Sequence, residues 1–146
     1  MLPKRSQGSD NVALIQWNDR FNVGVRSLDL QHRQLIDVLN ELHAALSQGR
    51  GKDVLTGLLA RLASYAWTHL QHEERLLAAH RYPDFAAHKA EHDSYLARMR
   101  ELEARSHQGG TAVTLELMQF LKGWWTGHIL ESDRKYSAHL SARQAA

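Results

Sequence analysis

The stretch WTHLQHEE, residues 67–74, lies in a run whose apolar residues otherwise recur at helical spacing. Such a segment buries one face, and that face here carries His69 and Glu73. Leu55, Leu59, Leu62, Ala66, His69, Glu73, Leu76 and His80 alternate steps of four and three, the spacing of a helix-bundle seam. An imidazole and a carboxylate have taken positions where leucine would serve for packing.

The same pattern extends outward. Leu28, His32, Leu35, Leu39, Leu42 and Leu46 precede it, Phe85, His88, His92, Tyr95, Met99 and Leu102 follow, and Leu117, Leu121, Trp124 and His128 close the series. Breaks fall at Gly49–Gly51, at Arg81-Tyr82-Pro83 and at Gly109-Gly110, and strand-like alternation is absent. We expect helices over about 27–48, 52–81, 83–107 and 111–130, with Pro83 at a first helical position, where its missing N–H is not needed. Residues 1–13 read as a flexible tail, Ile15 to Val25 as an irregular arm, and Ser132 to Arg143 as a short terminal helix. Short connections make sequential helices antiparallel. The expected fold is therefore an all-α, up-down-up-down four-helix bundle with an N-terminal arm.

Composition narrows the function. A chain of 146 residues that is 43% apolar can bury one substantial core, and nothing divides it. Its net charge of +2 includes no basic run longer than two residues, as in Lys4-Arg5, which argues against nucleic acid as a partner. No apolar run approaches a membrane span and the first residues lack a signal-peptide core, so a cytoplasmic protein without membrane insertion is expected. With no cysteine, any metal must sit on nitrogen and oxygen.

One histidine on an apolar stripe is usually a satisfied core residue. Five are not so easily dismissed. His69 and Glu73, like His88 and His92, are four apart, so each pair projects from one helical face within about 40°. A buried, unpaired carboxylate is costly, whereas one bound to a cation has its partner supplied. His128 and Asp133 are five apart, about 140° around an ideal helix, and can share a face only if the helix ends between them, near Leu130 to Ser132. Taken alone, Asp133 would equally suit a solvated or capping position.

The series LDLQH at 28–32, HLQHEE at 69–74, HKAEH at 88–92 and HILESD at 128–133 resembles the hemerythrin family, in particular its single-domain bacterial members. Trp17 and Tyr82-Pro83 match as well, and the likeness covers roughly residues 15–136, within a domain that would run over 14–146. The resemblance implies two non-haem iron ions with a bridging oxo or hydroxo group. It assigns His88, His92 and His128 to one iron, His32 and His69 to the other, and Glu73 and Asp133 to both as bridges. The first iron would have six ligands and the second five. Dioxygen would bind reversibly at the incomplete iron, for storage, buffering or delivery rather than as an enzyme's substrate.

Leu35, Leu70, Trp124, Trp125 and Ile129 each lie within a turn of a ligand position and are expected to line the oxygen pocket, although ordinary packing explains any one of them equally well. The family commonly has phenylalanine at the position of Leu70 and leucine at that of Trp125. We therefore expect Trp125 to narrow the site. Gln31 and Asp29 are candidates to support ligand imidazoles, or simply solvated. Among the other histidines, His43, His107 and His139 read as surface residues, and His80 as a core hydrogen-bonding group or a cap near Tyr82. The alternative function is a di-iron redox enzyme or sensor acting on peroxide or nitric oxide, and a separate reductase or oxygen-accepting protein is a possible partner in either case. A ferritin-like oxidase would need Glu-x-x-His pairs and a zinc hydrolase His-Glu-x-x-His; neither occurs here.

Overall fold

The computed structural model describes residues 13–49, 51–106 and 111–145. The tail over 1–12, the Gly109-Gly110 break and His107 lie outside them, as do the side chains of 51–55, Leu55 included. Four long helices form as expected: α1 (Arg26–Ser47), α2 (Gly51–Ala79), α3 (Phe85–Ser106) and α4 (Thr111–Gly127). Cross-helix pairs fix their directions. Ser27–His72, Gln31–His69 and Glu41–Arg61 run α1 against α2, Glu74–His92 joins α2 to α3, and Glu91–Ser132, Tyr95–Trp125 and Arg105–Glu116 run α3 against α4 and the turn that continues it. The bundle is up-down-up-down.

The stripes read from sequence form the interior. Leu28, Leu35, Leu39, Leu42, Leu62, Leu102, Leu117 and Leu121 are fully buried, and each contributes on the order of 2 kcal/mol through the apolar area it removes from water. In α4 one position of the stripe differs: Trp125 is fully buried, whereas Trp124 is half-buried at the edge.

Two expected boundaries differ. Pro83 is not the first helical residue; it sits in the turn before α3, which begins at Phe85. The corner is set by the way α2 ends: Tyr82 N–H donates to Leu77 O and Arg81 N–H to Ala78 O, with Arg81 at φ 52, the left-handed closure of a Schellman motif. His80 Nδ1 caps the Leu76 carbonyl, 2.9 Å away. His139 is no free surface residue, because its Nε2 donates to His80 O (2.7 Å) and its ring meets Tyr82 edge-on, tying the C-terminus to this corner.

The second difference lies after α4. The helix does not end between Leu130 and Ser132 but widens into one π-helical turn, His128–Asp133, and continues as α5 (Arg134–Ala145). Bonds from i to i+5 enclose an extra residue per turn, so side chains five apart come to share a face. That is how His128 and Asp133 both reach the interior.

The arm lies along the bundle. Asn40 accepts from Ile15 N–H and donates to Ile15 O, both at 2.9 Å, like an opposing strand. Phe21, in a single 3-10 turn (Asp19–Phe21), is buried in the core. Asp29 accepts from the backbone N–H groups of Val23 and Gly24, and Ser137 donates to Val23 O. No helix among the described residues is long and apolar enough to cross a membrane.

Candidate metal centre

All seven side chains singled out from the sequence converge in the bundle, and each is at most 4% exposed: His32, His69, Glu73, His88, His92, His128 and Asp133. Each of α1 and α2 supplies one imidazole, α3 supplies two, and the π turn supplies His128 and Asp133. Glu73 shares the inward face of α2 with His69.

The donors fall into two overlapping sets. One ligand atom from each of Glu73, His88, His92 and His128 lies within 4.8 Å of the others, and the same holds for His32, His69, Glu73 and Asp133. Each carboxylate turns one oxygen toward each set. Glu73 Oε1 lies 2.7 Å from His88 Nε2 and 2.9 Å from His92 Nε2, while Oε2 is 3.4 Å from His69 Nε2. Asp133 Oδ1 is 3.1 Å from His128 Nε2, while Oδ2 is 3.0 Å from His32 Nε2.

The polar atoms themselves point to cations. Nε2 of His32 and of His69 and both oxygens of Asp133 are buried without a hydrogen-bond partner among the described residues. In a closed interior such groups cost free energy unless something charged satisfies them. His92 Nε2 and His128 Nε2 stand only 3.1 Å apart. Their Nδ1 atoms donate outward to Glu74 (2.7 Å) and Glu91 (2.8 Å), so in the neutral rings both inner nitrogens present lone pairs to one another. A proton or a metal ion between them removes that repulsion. Buried imidazole and carboxylate donors fit iron, and also manganese, cobalt or zinc.

Without a metal, protons do part of its work. Burial pulls the His32 pKa down, but Asp133 and Glu73 outweigh it and raise the value to about 9. His88 reaches about 9 by the same balance, and His128 also stands well above its ordinary value. Burial and the charge on His32 lower His69. Burial pushes Glu73 up, yet the surrounding His128, His32 and His69 hold it well below the usual carboxylate range. Asp133 is depressed against both its burial and the charge of Glu73, chiefly by His128.

Around these groups lies a ring of supports, only part of which the sequence disclosed. Gln31 does hold an imidazole, accepting from His69 Nδ1 at 2.8 Å, but Asp29 serves the arm instead. Glu74, Glu91 and Tyr136 were missed. Tyr136, fully buried, donates to Glu73 Oε2 at 2.6 Å. Glu74 and Glu91 stand next to Glu73 and His92 in the two motifs, and that adjacency was the signal available for them.

Leu35, Leu70, Trp125 and Ile129 are fully buried. The Trp125 ring lies 6.0 Å from that of His69, and its Nε1 donates to Tyr95 Oη (3.2 Å). Trp124 lies flat against His128, 4.3 Å between centroids, on the three-histidine side.

Known proteins resemble this chain over most of its length. Residues 23–140 match the family described as the hemerythrin HHE cation binding domain. A bacteriohemerythrin of Methylococcus capsulatus is 33% identical over 132 residues, which span 90% of this chain and 100% of that protein. One from Stenotrophomonas maltophilia is 32% identical over 131 residues, covering 90% and 84%. The crystal structure of a wild-type hemerythrin superposes with a TM-score of 0.79 at 32% identity, over 88% of this chain and 99% of the other. The crystal structure of a hemerythrin point mutant gives 0.81 at the same identity, over 89% and 99%. By this match, the chain belongs to the hemerythrin HHE cation-binding domain family.

Proposed function

We propose that the protein binds dioxygen reversibly at a non-haem di-iron centre and so stores, buffers or delivers it. The observation that supports this reading best is the inequality of the donor sets. His88, His92 and His128 would hold one iron, His32 and His69 the other, and Glu73 and Asp133 would reach both. With a bridging oxo or hydroxo group the first set would be complete at six donors and the second would stop at five. When bound, the iron pair supplies that vacant position and the two electrons that reversible oxygen binding draws on.

The chain's own residues keep the position dry. Leu35, Leu70, Trp125 and Ile129 have 2% exposure or less, and an apolar wall excludes the water and protons that would make oxidation irreversible. Trp125 narrows the space beside His69, and its hydrogen bond to Tyr95 fixes where the indole stands. Tyr136 donates to Glu73 Oε2, the oxygen turned toward His69, and so fixes the carboxylate with Oε1 facing His88 and His92.

A partner that restores the ferrous state, a reductase or an oxygen-accepting protein, belongs to this reading. The visible spectrum of anaerobically reduced protein, followed through repeated exposure to air and degassing, tests it. A carrier colours and bleaches over many cycles; one conversion to a lasting ferric state would mark an enzyme and overturn the proposal.

A further inference from the structure

The ligand imidazoles are not supported alike. On the three-histidine side, His92 Nδ1 donates to the Glu74 carboxylate at 2.7 Å and His128 Nδ1 to that of Glu91 at 2.8 Å. Ser132 Oγ donates to the same Glu91 oxygen at 2.6 Å and holds it in place. On the two-histidine side, His69 Nδ1 meets the neutral amide oxygen of Gln31, and His32 Nδ1 is buried with no partner among the described residues. An anionic acceptor draws the Nδ1 proton toward itself and makes Nε2 a stronger donor, and a neutral amide does so less. A ring without an acceptor gains nothing and its orientation is held by packing alone.

We infer that the two donor sets take up metal in a fixed order: the His88–His92–His128 set fills first and holds its ion tightly, and the His32–His69 set fills second and releases first. The inference rests on the two-metal reading and deepens it, because the weakly held ion is the one on the side with the vacant position. Repulsion between two cations weakens the second step whichever set is filled first. What the supports determine is therefore the order of filling, not the mere inequality of the two steps.

Titration of chelator-treated protein with Co(II), followed by visible absorption and calorimetry at mildly alkaline pH, tests it without any oxygen chemistry. Wild-type protein should take two ions in resolved steps. His32→Ala should keep the tight step and lose the weak one, and His128→Ala should lose the tight step. Glu91→Gln, at a side chain 46% exposed and so tolerant of change, should weaken the tight step about 10- to 100-fold, the usual effect of removing such a support, and leave the weak step within a few-fold. Gln31→Glu should strengthen the weak step.

Retention of the tight step by His128→Ala with its loss in His32→Ala would overturn the order. So would a Glu91→Gln protein whose two steps are both unmoved, or moved equally. Uptake of fewer than two ions by wild-type protein would instead defeat the two-metal reading itself, and circular dichroism of each variant separates loss of a site from loss of the fold.

Discussion

His128 and Asp133 stand five residues apart and meet at 3.1 Å, Nε2 to Oδ1, because the chain between them winds as a single π-helical turn. Removal of one residue from that turn, the exposed Glu131, should restore ordinary α-helical winding and leave His128 and Asp133 four apart, within about 40° of one another on the helix. Asp133 would then still face the interior. The deletion variant should keep its helical circular dichroism and bind two metal ions per chain, whereas insertion of one alanine beside Glu131 should turn Asp133 away and lower metal content; loss of metal on deletion with none on insertion would show that the turn does not set the facing of Asp133.

Trp125 fills a position beside His69 and is fully buried. Trp125→Leu should cost roughly 2–4 kcal/mol of stability, within the range for large-to-small core changes, and should speed oxidation of the oxygenated protein by admitting water. Denaturant melts and the rate of colour loss in air measure the two effects. An unchanged oxidation rate together with unchanged oxygen affinity would reduce Trp125 to packing.

The pH dependence of the metal-free protein has a definite sign. His32 and His88 titrate near 9 when folded against 6.5 in a free imidazole, so the folded chain holds their protons more tightly than the unfolded chain does. That stabilisation is complete below pH 6.5 and is lost as pH rises through 9. Glu73 and Asp133, depressed from 4.5 and 3.8, add stability above those values and lose it as pH falls toward their folded values. His69, lowered from 6.5, opposes folding on the acid side to a smaller extent. Chelator-treated protein should therefore be most resistant to urea between about pH 4.5 and 6.5. Iron-loaded protein should gain resistance as pH rises above 6.5, since the metal displaces those protons. A urea midpoint that climbs from pH 6.5 to 9 without metal would contradict the proton assignment.

Asn40 holds the arm through two bonds to the Ile15 backbone. Asn40→Ala should cost about 1–3 kcal/mol, because a partly buried N–H and C=O are left unpaired. Limited proteolysis should then cut near Ile15, while metal content stays at the wild-type value. Loss of metal in this variant would show that the arm, far in sequence from the donors, helps to hold the centre.

Much of this was legible in the sequence, for a physical reason. Leu28 to Leu42 and Leu59 to Glu73 face inward because a helix buries residues three and four apart, and the ligands occupy those same positions. His128 and Asp133 were readable as donors through their family pattern, but the π turn was not: the same 140° conflict is resolved by a helix end or by a widened turn, and apolar spacing does not distinguish them. Glu74, Glu91 and Tyr136 lie off the apolar stripe or beyond it, and their partners are 18, 37 and 63 residues away. His139 looked solvated for the same reason, since its acceptor is the carbonyl of His80.

The proposed chemistry requires seven buried side chains to hold two metal ions, one of them a donor short. Metal analysis of protein produced with ample iron tests it most directly. The arrangement predicts two iron ions per polypeptide, falling when Glu73 or Asp133 is replaced by alanine; one ion or none in the wild-type chain would contradict it.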